Sequence, residues 1–139
     1  MISIKVEIKG EPDVLPLTKF YEYRDEVDEL LLFESIKNTK EKLSSNLKIN
    51  TNEALVMYCG YIIEQLRNQV SAPNIQRNAS KLLSPVDVMI GVPETLRTLR
   101  FSVALDNLTT KKISFHQPIR IVPYDMQLHL SDGQGGCSN

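Results

Sequence analysis

SPVDVMIGVPETL, residues 84–96, packs two helix starts and one helix stop into thirteen residues. Ser84 is a good N-cap, and Pro85 falls at the first helical position, where its missing N–H costs nothing. Asp87 lies near the positive end of the helix dipole. Val86, Met89 and Ile90 would supply the apolar face. Gly91 can take the left-handed conformation that ends a helix, and Pro93 then seeds a second short helix with Glu94 in its first turn. The stretch therefore reads as a helix–Gly–Pro–helix corner, and the chain differs in character on its two sides.

Upstream the pattern is helical. Asp25 to about Leu43 places Val27, Leu30, Leu31 and Phe33 near helical spacing, behind an acidic first turn of Asp25, Glu26, Asp28 and Glu29. That acidic run is read as a solvated helix start rather than a cation site. Asn50 can cap a second helix, with Glu53 three residues on able to reach back. In it Leu55, Cys59, Ile62, Leu66 and Val70 form one seam, widened by Val56, Met57, Tyr58 and Ile63, so this helix is central to its domain. Pro73 opens a shorter helix through Leu83, with Ile75, Ala79, Leu82 and Leu83 inward.

Downstream the period becomes two. Leu99, Phe101, Val103 and Leu105 alternate, then Ile113 and Phe115, which predicts an antiparallel β-hairpin with a long polar loop from Asp106 to Lys112. Ile119, Ile121 and Val122 would extend it before Pro123 interrupts. Ile2, Ile4, Val6 and Ile8 alternate with Ser3, Lys5, Glu7 and Lys9, giving an N-terminal strand with one wet face. Gly10, Pro12 and Pro16 then break the chain into a linker running to about Thr18. The fold class is α+β: a bundle of about four helices with a C-terminal antiparallel hairpin, augmented by the N-terminal strand. The expected divisions are a strand and linker over 1–22, a main domain over 23–119, and a C-terminal extension with a mobile tail over 120–139.

A chain of 139 residues with 42% apolar and 24% charged side chains is one globular domain's worth. Net charge −1 leaves no electrostatic footprint for nucleic acid or an anionic bilayer. The longest mostly apolar run, Ala54 to Ile63, is far too short to span a membrane, and the first residues lack a signal-peptide layout. The expected compartment is the cytoplasm. Cys59 in an apolar helix and Cys137 in the terminal segment form no disulfide framework.

Reactive groups are few. His116 and His129 are separated by thirteen positions, and neither has a second ligand at helical spacing, so no catalytic, cofactor-binding or metal site is assigned to this chain. A stand-alone hydrolase would need His116 as its base, but a strand-end histidine more often serves structure. The terminal Asp132-Gly133-Gln134-Gly135-Gly136 lacks the strand–loop–helix setting of a phosphate loop.

Three segments in order carry a resemblance. Leu47, Lys48, Ile49 and Asn50 followed by Glu53 and Ala54, the pair Glu64 and Arg67, the corner Asp87, Val88, Met89, Gly91, Val92 and Pro93, and the closing Ser114 to Ile119 together resemble the urease gamma subunit, across roughly Arg24 to Ile119. What the resemblance implies is assembly. In that family the nickel ions and catalytic residues reside on the large alpha subunit. The gamma subunit packs against it, with a beta subunit, in a trimer of heterotrimers that hydrolyses urea to ammonia and carbon dioxide via carbamate. Structural or interface roles would then fall to Ser84, Asp87, Gly91, Pro93, Phe101, Val103, Phe115, His116 and Pro118, with the apolar hairpin covered by a partner.

The chain departs from the family in its first 21 residues, in Gln65 where the family has glycine, and in a hairpin turn of Asn107, Leu108 and Thr109 instead of Asp-Gly. About twenty residues follow Ile119, so a fused beta subunit is not expected. The alternative reading is a related interaction module in a different complex, with the N-terminal strand as its contact.

Overall fold

The alternating residues at the start of the chain form the strand around which the sheet is built. In the computed structural model, which describes residues 1–10, 17–106 and 109–122, β1 (Ile2–Lys9) is bonded on one side to β2 (Leu17–Tyr23) and on the other to β3 (Thr98–Leu105). β4 (Lys111–His116) pairs with the far side of β3, giving an antiparallel sheet in the order β2-β1-β3-β4. The linker prolines Pro12 and Pro16, the turn residues Asn107 and Leu108, and the tail from 123 to 139 with His129 and Cys137 lie outside the described residues.

The period of two puts the large apolar side chains of β1, β3 and β4 on one face. Ile4 sits opposite Val103, Val6 opposite Phe101, and Phe101 in turn opposite Ile113. Ile2, Ile4 and Val6 are fully buried, as are Leu99, Phe101, Val103, Ile113 and Phe115 to within 2%. Removing an aliphatic side chain of this size from water contributes about 1.5–3 kcal/mol. The other face carries Lys5, Lys9, Arg100 and Lys112 and stays wet.

Residues 17–23 correct the linker reading: they form β2, pairing along its whole length with β1 from Ile2↔Tyr23 to Ile8↔Leu17. Tyr21 and Tyr23, two apart, lie half-buried on the core face with their rings stacked at 6.5 Å. The augmented hairpin is thus a four-stranded sheet, and its apolar face is covered by the chain's own helices rather than awaiting a partner.

Those helices are α1 (Glu26–Ser44), α2 (Thr51–Arg67), α3 (Ala72–Asn78) and α4 (Val92–Thr95), with single 3-10 turns at Ala79–Lys81 and Pro85–Asp87. α2 is the central one, burying Ala54, Leu55, Met57, Tyr58, Cys59, Ile62 and Ile63. Its start is fixed by the expected capping box: Asn50 Oδ1 accepts from Glu53 N at 2.9 Å, and Glu53 Oε1 accepts from Asn50 N at 3.0 Å. Tyr58, Tyr61 and Phe101 all lie against Phe115 with centroids 5.4–6.3 Å apart, joining α2 to the sheet. Tyr61 also donates to Ile75 O at 2.7 Å, tying α3 to α2. The third helix ends earlier than expected, at Asn78.

α1 turns a different face inward from the one its leading leucines suggest. Leu32 and Thr39 are buried, with Ile36 and Leu43 half-buried, whereas Val27, Leu30 and Leu31 are more than 60% exposed. The stripe 32, 36, 39, 43 runs the length of the helix, while the other apolar residues stop after two turns, and the longer stripe wins. Thr39 tolerates burial because its hydroxyl donates to Ser35 O at 2.9 Å. The acidic start is occupied by capping: Asp25 Oδ1 accepts from Asp28 N at 2.9 Å.

If β1 is the sheet's centre, Ile4→Ala should lower unfolding free energy by about 2–5 kcal/mol in urea titration. Lys5→Ala, one residue along on the wet face, should stay within about 0.5 kcal/mol of the parent. Equal effects at the two positions would contradict the assignment.

Candidate interaction surface

The punctuated corner is held by backbone and side-chain hydrogen bonds at each step. Ser84 N and Ser84 Oγ both donate to Asp87 Oδ2, at 2.8 and 3.0 Å, and Asp87 N donates to Ser84 O at 3.0 Å. This closes one 3-10 turn and no more, so the first expected helix is a single turn. Val88 is extended and forms a parallel bridge with Ile49, where Ile49 N donates to Asp87 O and Met89 N to Ile49 O. Lys48 Nζ reaches Val86 O at 2.9 Å. The link between α1 and α2 is thus stitched to the corner.

Gly91 is left-handed as expected, at φ 93°, but it opens α4 rather than closing a helix before it. From there the chain turns inward: Val92, Pro93 and Leu96 are buried, and Thr95 Oγ1 donates back to Gly91 O at 2.9 Å. The shortened first helix changes what its apolar residues do. Val88 goes into the core, while Val86, Met89 and Ile90 point outward at 37, 47 and 60% exposure. Leu47, on the stitched link, stands 56% exposed beside them in the chain path. The result is an apolar outer surface on a rigidly bonded corner. α1 adds Val27, Leu30 and Leu31 elsewhere on the surface.

Between α1 and α2 lies an open groove of about 400 Å³, floored by Phe33, Ile36, Met57 and Tyr61. At Gly60 the two helices come close: a Cβ there would sit 2.6 Å from Ile36 Cδ1. Glu64 and Arg67 line it, and Arg67 is held by Glu29 at 3.3 Å. This is an apolar floor with a charged rim of Lys40, Glu64 and Arg67, and its lining holds no Ser, Cys or His.

The nine residues singled out from sequence divide sharply. Ser84, Asp87, Gly91 and Pro93 belong to the corner. Phe101, Val103 and Phe115 are 1–2% exposed inside the chain's own core, and Pro118 is buried, so none of these four presents a side chain to a partner. His116 is exposed at the end of β4 opposite Thr98. The outward residues Leu47, Met89 and Ile90 were not among the nine. For Met89 and Ile90 the signal lay in the corner's brevity, because a turn of three residues, Pro85–Asp87, ends before it can give them an inner helix face.

Chemically the described residues offer little. No three His, Cys, Asp or Glu side chains among them converge as metal ligands. Burial pushes the Cys59 thiol up to about 12 and raises the Tyr58 phenol, whose hydroxyl is buried without a hydrogen-bond partner. No described helix is long and apolar enough to cross a membrane.

Residues 22–119 match the sequence model of the family described as "Urease, gamma subunit". The chain is 30% identical over 95 residues to the urease subunit gamma of Halalkalibacterium halodurans, a stretch covering 68% of this chain and 94% of that one. It is 27% identical over 93 residues to the urease subunit gamma of Haloquadratum walsbyi, covering 67% and 85%. A third similarity, 27% over 96 residues, is to the urease subunit alpha of Campylobacter lari, of which it covers 43%.

Two outcomes follow from the geometry. Gly91→Ala should cost about 1–2 kcal/mol through backbone strain alone, since a Cβ there meets nothing within 4 Å. Gly91→Asn should cost less, and denaturant midpoints of the two variants give the comparison. Cys59 in the folded chain should resist iodoacetamide at neutral pH and react only on unfolding, as read by peptide mass mapping.

Proposed function

The chain belongs to the urease gamma-subunit family, and from that premise we propose that it is a structural, non-catalytic subunit of a urease, the complex that hydrolyses urea to ammonia and carbon dioxide via carbamate. Alpha and beta chains are its partners, in a trimer of heterotrimers, and the nickel ions belong to the alpha chain. The cytoplasm is the proposed compartment, which suits the free thiol of Cys59.

One observation carries the reading. The corner from Asp87 to Pro93, part of the resemblance to the family, is spent on a scaffold and on outward apolar side chains, and not on a reactive group. Asp87 holds the turn, Val88 joins the core, Gly91 sets the direction, and Met89 and Ile90 are left facing out. A surface of this kind is suited to burial against another chain. The match to a longer urease subunit, of which this chain spans 43%, supports a role within a larger urease framework.

Co-expression with urease alpha and beta chains in nickel-supplemented cells tests the proposal. The isolated chain should neither hydrolyse urea nor retain stoichiometric nickel, and activity should follow the assembled complex. A Met89→Asp, Ile90→Asp double variant should fold normally by circular dichroism yet lower recovered complex and activity by at least about tenfold, the equivalent of roughly 1.4 kcal/mol of lost association. Full activity from alpha and beta chains without this one would sink the proposal. Stable capture of an unrelated complex with no urease chain would instead favour the related interaction module.

A further inference from the structure

The two edges of the sheet are treated differently. β4 carries Lys111 and Lys112, and its Ser114 N–H donates to Gln76 Oε1 of α3 at 3.0 Å. Charge and a capped backbone donor are ordinary protections of an edge strand. β2, at the opposite edge, has no capped backbone donor, and its one acid, Glu22, is paired with Arg24 at 2.7 Å. Among the described residues no loop or helix hydrogen-bonds to its outer backbone groups, and Leu17 and Phe20 stand 52 and 59% exposed. Its lysine, Lys19, is drawn away to Asn52 Oδ1 at 2.8 Å.

The sequence of β2 is complementary to itself. Antiparallel pairing about Phe20 sets Phe20 against Phe20, Thr18 against Glu22, Lys19 against Tyr21 and Leu17 against Tyr23. No like charges oppose, and the two-fold centre is an aromatic pair. The flank agrees. α1 departs from β2 after Arg24 and Asp25, and runs back along it: Lys42 of α1 ion-pairs Glu53 at 2.6 Å, next to the Asn52 that holds Lys19. Leu31 shares the stripe of Lys42, eleven residues before it, so an exposed leucine lies along this side of the molecule.

We propose that β2 is the pairing edge for a second copy of this chain, joined antiparallel about a two-fold axis at Phe20 so that two four-stranded sheets become one. β1 and most of β2 precede the span that the family shares, so the association belongs to this chain's own extension and does not rest on the urease reading.

Light scattering of the purified full chain at tens of micromolar should give about twice the 15.8 kDa of one chain. Phe20→Lys, which sets two ammonium groups against each other, should give the mass of one chain with unchanged circular dichroism. In a Cys137→Ser background, Phe20→Cys should oxidise to a covalent dimer under mild conditions. Lys5→Cys should not, because its Cα would lie three strand spacings, about 14 Å, from its counterpart. A parent chain of single mass, an undiminished dimer in Phe20→Lys, or equal cross-linking at positions 20 and 5 would each overturn the proposal. The first of these would leave β2 to a strand from a different chain.

Discussion

The double pairing of β1 is the constraint on which the rest of the molecule depends. Strand β1 is bonded to β2 and β3 along its full length and buries Ile2, Ile4, Val6 and Ile8 in one row. Yet β1 lies before residue 22, outside the span shared with the urease gamma family. Without it the shared span holds β3, β4 and the last two residues of β2, and a two-stranded hairpin is marginal in water. With it, Phe101 and Val103 gain a neighbouring strand on the side away from β4. The extension is therefore the middle of the sheet in space although it is the beginning of the chain in sequence.

That arrangement changes what the helical layer must do. α2 lies over an apolar face already continuous from Tyr23 to Phe115, and its Tyr58, Ile62 and Ile63 are fully covered. Because the core is closed by residues of this chain, outward apolar side chains are not leftovers of an incomplete core. Leu30, Met89 and Ile90 are exposed on elements whose inner faces are satisfied. Such side chains gain nothing from folding, so their contribution is available to association.

Much of the fold is legible in the residues, for identifiable reasons. Strict alternation marks β1, β3 and β4, and reciprocal Asn50–Glu53 bonding marks the start of α2. β2 escapes notice because Thr18, Phe20 and Glu22 alternate with Leu17, Lys19, Tyr21 and Tyr23, so neither face is cleanly apolar, and two prolines precede it. α1 misleads because apolar residues occupy both sides of its first two turns, and only length separates the inner stripe from the outer. At the corner the punctuation is correctly read while its scale is not. One 3-10 turn replaces a helix, and a helix face becomes a set of outward side chains. The hairpin residues Phe101, Val103 and Phe115 look like partner contacts as long as the sheet's apolar face is thought to be uncovered.

The corner shows how specificity can reside in a segment whose polar side chains are already engaged. Its polar residues are consumed internally: Asp87 takes both Ser84 donors, Lys48 takes the Val86 carbonyl, and Ile49 takes the Val88 bridge. Each bond removes a way for residues 86–90 to move relative to α2. Ordering a loop at the moment of binding costs free energy, and a loop already ordered by its own chain avoids that cost. The left-handed Gly91 adds a fixed change of direction, so that Val92 and Pro93 anchor in the core while Met89 and Ile90 stay outside. The corner is rigid and apolar, and its polar groups are spent on its own bonding. Such a surface is fixed before any contact is made, so little ordering remains to oppose association.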